Sequence, residues 1–391
     1  MSALTVRSSR DPARLEALGP EWRALFAAAG EPCPFLSHEW LHAWWRHLGA
    51  RRALWLLEAR DGAGALAGVL ALSASPGLPG ARRWRLLGNG LTGADGLDVL
   101  ARPQDAAEVR AALARALLGG EGWDVLDLED LPCGSPSVAA LLDAAGLRGA
   151  RAEVLRRFSC PGFALRGDYA SHLRRVRRRE TLGRRVRWLA RQPGFAVEVA
   201  STAAEAPEAM EDFLRLHRLR WAVEGGSYGI PAGPPEAFHR AVAPALAARG
   251  WLRLYRLRVG GAAVAAVYGL ELGRRFYYYQ SGYNPAWSAR SPGAVLVART
   301  VEDAYARGLT DYDFLRGEEP YKLDWTADRR ETCAVRLRAP SLRAGAVTAA
   351  DGALRAARGV ARAVTPARLW GALQLARRRA AAAAGAPAGE G

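Results

Sequence analysis

The chain is almost without lysine. Of its 55 lysine and arginine residues, Lys322 alone is lysine. Arginine is a planar fork that stays charged, whereas lysine is a compact ammonium that responds to burial and to neighbouring charge. The one lysine therefore draws attention to its surroundings, Gly317-Glu318-Glu319-Pro320-Tyr321-Lys322-Leu323-Asp324-Trp325. Cysteine is scarce too: Cys33, Cys133, Cys160 and Cys333 stand far apart, without the paired spacing of a zinc site or redox motif. No metal-spaced pair among the six histidines is taken as a metal site, and no Ser-His-Asp triad is read from the sequence. No apolar run reaches the roughly 18 residues of a spanning helix, and the first twenty residues hold no stretch suited to a signal-peptide core. These absences predict a cytoplasmic, reduced, metal-free globular protein, and 391 residues are enough for about two domains.

Positive charge is plentiful but local. The formal charge is +16, of which His172 to Arg191 holds +8 (nine arginines against Glu180) and Ser341 to Gly391 holds +6 (eight arginines against Asp351 and Glu390). Subtracting 14 leaves about +2 for the rest, so two nearly neutral bodies carry one basic helix and one basic tail. The basic helix could meet RNA, an acidic membrane surface or nothing but water; its single tryptophan, Trp188, gives base stacking little support, which makes RNA the weaker partner. The tail reads as two Ala/Arg helices broken at Thr365-Pro366, with Leu369, Trp370 and Leu373 as a narrow apolar stripe and a disordered end from Ala380.

A pattern occurs twice. Ala53 to Leu72 and Trp251 to Leu270 each read as strand, glycine-containing turn, strand. Each follows a Trp-bearing helical stretch, Trp40 to His47 or Phe213 to Trp221. Each precedes a helix and an acid-bounded strand: Asp105 to Leu118 then Trp123 to Leu128, and Pro292 to Arg307 then Asp311 to Leu315. The expectation is an α/β fold of duplicated domains with a mixed α+β sheet: 1–165, a linking helix over 166–192, 193–340, and a helical tail over 341–391.

The second copy concentrates the chemistry. Phe276 to Gln280 reads as a strand, and Ser291-Pro292-Gly293 as a helix start with serine as N-cap and proline at the first helical position. Exposed amides at that start, glycine without a side chain and Arg290 beside them suit an anion such as pyrophosphate.

The order strand, basic loop, helix, short acidic strand, Tyr-Lys resembles the second domain of the BioF2-like or CelD-like acetyltransferases of the GNAT superfamily, relatives of the Fem peptidyltransferases. The matching pieces are Leu216-His217-Arg218-Leu219-Arg220-Trp221, Arg290-Ser291-Pro292-Gly293, Gly308 with Asp311-Tyr312-Asp313-Phe314, and Gly317 to Lys322. One departure stands out: Val295 occupies the last small position of the acyl-CoA loop pattern. The resemblance implies tandem GNAT-like domains, the first a degenerate copy. It also implies acyl transfer from acetyl-CoA or another acyl-CoA to an amine of a small metabolite, amino sugar or envelope or exopolysaccharide precursor. The alternatives are a Fem-like enzyme using aminoacyl-tRNA and a non-catalytic partner of a polysaccharide-synthesis complex.

The resemblance assigns donor contacts to Tyr279, Gln280, Ser281, Arg290, Ser291, Pro292, Gly293 and Ala294. Tyr321 would protonate the leaving thiolate, or else be a core aromatic. Glu318 or Asp313 could accept the amine proton, the alternatives being a solvated acid and a structural hydrogen bond. Lys322 could neutralise an oxyanion, pair an acidic group on the acceptor or hold Glu318. His217, Arg220 and Trp221 share a helix face and could line the acceptor cleft.

Overall fold

Short apolar runs rich in leucine, alanine, valine and aromatic residues set out the strands, and apolar residues at helical spacing set out the helices between them. The computed structural model describes residues 4–30, 32–74, 81–90, 92–222 and 230–364. The chain divides into unit 1 (1–157, 232–235 and 332–391) and unit 2 (158–231 and 236–331). Unit 1 runs β1 (Thr5–Ser9), α1 (Pro12–Ala17), α2 (Gly19–Ala28), α3 (His38–Leu48), β2 (Ala53–Arg60), β3 (Leu66–Ala74), β4 (Arg83–Leu86), β5 (Leu100–Ala101), α4 (Ala106–Gly119), β6 (Val125–Pro132) and α5 (Pro136–Leu147). The strand β7 (Arg151–Ala164) leads into unit 2. There follow α6 (Tyr169–Leu173), α7 (Arg179–Ala190), β8 (Ala196–Ala200), α8 (Ala206–Ala222), α9 (Pro234–Ala248), β9 (Leu252–Val259), β10 (Ala262–Leu272), β11 (Arg275–Tyr283), α10 (Pro292–Ala306), β12 (Asp311–Asp313) and α11 (Pro320–Leu323). The strand β13 (Arg329–Arg338) and α12 (Leu342–Val364) return the chain to unit 1.

The two units repeat one topology. Unit 1 orders its strands β1-β2-β3-β4-β6-β13, and unit 2 orders them β8-β9-β10-β11-β12-β7. Each has an antiparallel hairpin, β2–β3 or β9–β10, and then one parallel pair, β4–β6 or β11–β12, joined by a crossover helix. The duplicated mixed-sheet fold expected from the repeat is present. Each unit's last strand is antiparallel to its neighbour and comes from outside the repeated segment: β13, late in the chain, pairs with β6, and β7, before the second copy, pairs with β12.

In unit 2 the middle strand β10 is buried along most of its length because both faces are covered. Adjacent residues point to opposite faces. Tyr268 meets Phe213 of α8 (5.5 Å between centroids) and His239 of α9 (5.7 Å), while Val267 belongs to the core with Val295, Leu296, Val301 and Leu189. The arginine-rich segment is part of that core. It is two helices rather than one, because Arg178 is left-handed (φ 56°). Val176 and Leu189 are buried, and Leu182, Val186 and Trp188 pack on the core beside α10, so the segment expected as a linker lies within unit 2. Its apolar stripe, not its charge, decides where it goes.

Described residues of the tail form α12 up to Val364, where the sequence places Thr365-Pro366; the expected stripe of Leu369, Trp370 and Leu373 and the last dozen residues lie outside the described residues. Leu189 has no exposed surface, so Leu189→Ala is expected to cost about 2–5 kcal/mol in urea denaturation, whereas Leu219→Ala, at a residue 40% exposed, costs under about 1 kcal/mol.

Candidate functional site

The strands β11 and β12 pair over three positions, Arg275↔Asp311 to Tyr277↔Asp313, and then part. Asp313 fixes the parting. Its Oδ1 accepts from the amide of Leu315 at 3.0 Å, which holds Leu315 in a left-handed conformation (φ 55°), and its Oδ2 takes a hydrogen bond from Arg330. Beyond that point Tyr278 to Tyr283 run on without β12.

A bulge then reorganises this free half of β11. Tyr268 faces Gln280 but Gly269 faces Tyr278, so Tyr279 is an extra residue and the alternation shifts by one. Tyr278, Ser281 and Tyr283 accordingly share one face, although their spacing is not that of a regular strand. On the opposite face α8 comes close. A Cβ at Gly282 would stand 2.3 Å from the backbone nitrogen of His217, so glycine is what admits the helix. The approach brings Arg220 to the free edge of the strand, where its guanidinium donates to Ser281 Oγ (2.9 Å) and the Ser281 carbonyl (3.3 Å) and lies 5.7 Å from the centre of the Tyr283 ring.

The third wall is the start of α10. A 3-10 helix over Pro285–Arg290 ends at Ser291, which is left-handed (φ 46°, ψ 57°) and turns its hydroxyl back to donate to the Ser288 carbonyl at 3.3 Å. The expected capping by Ser291 is therefore absent. Pro292 takes the first helical position, as its fixed φ and missing N–H suit. No side chain caps α10, so its first amides face outward with the positive end of the helix dipole.

These walls enclose a cavity of about 210 Å³ lined by Arg220, the three β11 residues, Ser288, Ser291, Gly293, Ala294, Val297 and Tyr321. Tyr321, from α11, donates its hydroxyl hydrogen to Tyr278 Oη at 3.3 Å. Burial pushes both phenols up, Tyr321 well above the usual tyrosine value, with Tyr278 and Glu319 adding to it, so Tyr321 is a proton carrier at neutral pH. Gly293 is free of two ordinary reasons for glycine: it is helical, and a Cβ there would meet only Tyr283 Cδ1 at 3.6 Å. What a Cβ would take up is cavity space over the helix amides, so the lining fits a ligand anion held against the backbone. Val295 is fully buried in the core and does not enter the cavity.

Of the expected site residues the cavity gathers Arg220, Ser281, Ser291, Gly293, Ala294 and Tyr321. Tyr279 and Gln280 lie outside it; the Tyr279 hydroxyl is 3.4 Å from His239 Nε2, and Gln280 Oε1 accepts from the Ser281 amide. Arg290 is exposed and stacks on Trp188 at 4.1 Å. His217 is buried against Phe213 and Trp221, the latter packed under Arg220 (5.0 Å). Glu318 is half exposed and pairs with Arg329 at 2.7 Å. Lys322 is 3% exposed and does not line the cavity. Its Nζ donates to the Arg316 carbonyl (2.6 Å) and pairs with Glu319 (2.9 Å), not Glu318, which ties down the loop that carries Tyr321. Tyr278, Tyr283, Ser288 and Val297 were not expected. Only the bulge brings the first two to the cavity face, and no residue type announces it.

Two substitutions separate the roles of the glycines. Gly282→Ala is expected to lower stability by about 1–3 kcal/mol because backbone must move, while Gly293→Ala shifts it by less than about 1 kcal/mol; thermal unfolding of both checks this. His217 and His239 are each lowered to about 3, chiefly by burial, from an ordinary 6.5. The unfolded chain then binds protons between pH 6.5 and 3 that the folded one does not, so stability is lost as pH falls through that window. Urea denaturation at pH 7.5 and 5 is expected to show that loss, and His239→Phe to show a smaller one.

Residues 176–323 match the acetyltransferase (GNAT) domain family. No curated protein sequence matches the chain. Among solved structures, FemX superposes with a TM-score of 0.57 at 10% identity, covering 84% of this chain and 96% of FemX. L-PGS from Bacillus licheniformis gives 0.51 at 13% identity, covering 85% and 94%. A conserved protein of unknown function from Bacteroides thetaiotaomicron gives 0.50 at 11%, covering 86% and 100%. At such identities the likeness is one of fold. Among the described residues no helix is long and apolar enough to cross a membrane, and no group of three or more histidine, cysteine, aspartate or glutamate residues is placed to hold a metal ion. Residues 176–323 thus resemble a GNAT acetyltransferase domain, and the chain as a whole shares the fold of FemX.

Proposed function

We propose that the protein is an acyl-CoA-dependent N-acyltransferase working from the unit 2 cavity, on an amine of a small metabolite or envelope polysaccharide precursor. The observation that carries this reading is the uncapped start of α10, opening on a cavity that also holds an arginine and a tyrosine hydroxyl. The amides of Gly293 and Ala294 and the hydroxyl of Ser288 suit the diphosphate of the donor, which would supply the thioester.

The amine nitrogen forms the new bond to the acyl carbon as the carbon–sulfur bond breaks, and the sulfur must gain a proton. Tyr321 gives that proton, with the Tyr278 hydroxyl beside it. Among the described residues no carboxylate or histidine lines the cavity, so the acceptor arrives as the neutral amine, and the proton its nitrogen sheds as the amide forms leaves through water, from which Tyr321 regains its own. Arg220 places a cation where charge builds on the carbonyl oxygen. Lys322 and Glu318, outside the cavity, act through the loop before α11.

Isothermal titration with acetyl-CoA and longer acyl-CoAs tests the donor. Saturable binding that Gly293→Val weakens at least tenfold is expected, and no binding of any acyl-CoA sinks the reading. With an accepted amine in hand, Tyr321→Phe should lower kcat about 10²–10⁴-fold and leave donor binding within about twofold. Lys322→Arg should reduce turnover through a disturbed Tyr321; full activity would leave the brace without a role.

A further inference from the structure

The arginine-rich stretch after β7 builds a second cavity in unit 2, about 490 Å³ in volume. It sits at the other end of α10. Tyr305, in the last turn, faces His172 with ring centroids 5.9 Å apart, whereas Gly293, in the first turn, lines the cavity described above. Fifteen helical residues separate the two ends by about 20 Å.

His172 lines this cavity and is 5% exposed, yet neither ring nitrogen has a hydrogen-bond partner among the described residues. Its ring lies between Phe163 (4.3 Å, 29° between planes) and Trp325 (6.1 Å, 21°), so stacking fixes its orientation and leaves the ring edge for another partner. A buried polar group left unpaired is costly, and such groups in folded proteins have a reason. Arg166, Arg175 and Arg177 line the same wall, and their exposed guanidinium groups form no ion pair or hydrogen bond among the described residues. Three forks and one ring N–H suit a dianionic phosphate better than a single carboxylate. Asp324 and Asp328 also line the cavity, so the wall is +3 − 2 = +1 with His172 neutral, too little for a bare polyanion. The carboxylates instead accept hydrogen bonds from donor groups on the same ligand.

We propose that this cavity binds a phosphate monoester bearing hydroxyl groups, with the three arginines on the phosphate, His172 hydrogen-bonded to it from below and Asp324 and Asp328 on the hydroxyls. The proposal stands apart from the acyl-donor reading, since the two sites share no lining residue. The same chemistry occurs on a free metabolite and on a lipid headgroup. The full-length protein is titrated with sn-glycerol 3-phosphate by calorimetry and sedimented with vesicles containing phosphatidylinositol 4-phosphate, whose headgroup carries a phosphate monoester and hydroxyls, with glycerol as the phosphate-free control. Saturable binding of one of the two forms is expected, at least tenfold weaker in Arg175→Gln/Arg177→Gln and in His172→Phe, with acetyl-CoA titrating as in the parent protein. The arginines are exposed, so the double variant decides even if His172→Phe does not fold. Absence of saturable binding to either form, or binding that the double variant leaves unchanged, overturns the proposal.

Discussion

Everything at the first cavity depends on β11 and β12 staying together for three residues and no longer. Had they paired further, a neighbouring strand would have covered the edge of Tyr278 to Tyr283, including the Ser281 carbonyl that Arg220 reaches. Asp313 enforces the separation from inside the fold: one carboxylate oxygen holds Leu315 in a left-handed turn and the other holds Arg330. Once β11 is alone, the bulge at Tyr279 and the bare backbone of Gly282 complete the site by turning three side chains to one face and letting α8 lay Arg220 against them.

Unit 1 shows the same fold with the gap closed. Its parallel pair β4–β6 also spans three positions, from Arg83↔Val125 to Arg85↔Asp127. The chain that follows β4 does not go straight into a helix. It folds back between the diverging strands, with the Leu97 amide donating to the Asp130 carbonyl (3.1 Å) and Asn89 Nδ2 donating to Asp130 Oδ2 (2.8 Å), and reaches β3 as the short strand β5. Protein atoms fill what is open in unit 2. That is the physical content of a degenerate copy: the scaffold is kept, and the space for a ligand is spent on packing.

The order of elements was legible because hydrophobic periodicity is local; Ala53 to Leu72 and Trp251 to Leu270 announce hairpins on their own residues. The start of α10 at Pro292 was legible for the same reason. What escaped depended on contacts distant in sequence. Nothing in Phe276 to Tyr283 tells that Gly269 will face Tyr278 rather than Tyr279, so Tyr279 and Gln280 were read onto the cavity face and Tyr278 was not. Ser291 reads as a cap, yet the 3-10 helix before it turns its hydroxyl the other way. Lys322 stood out by composition, but its partners are a carbonyl and Glu319, and its reach to the cavity is through Tyr321. Cys133 and Cys333 read as unrelated; the pairing of β6 with β13 brings them side by side, and the Cys333 thiol is pushed up to about 12, first by burial and then by Cys133.

The central claim is that the free start of α10 and the unpaired half of β11 form the acyl-donor site. Amide hydrogen exchange of the full-length protein with and without coenzyme A tests it most directly. The account predicts slowed exchange at Gly293 to Val297 and at Ser281 to Tyr283, and none at the matching unit 1 segments, Arg83 to Leu87 and Ala106 to Arg110. Protection confined to unit 1, or saturating coenzyme A with no change at the start of α10, would contradict it.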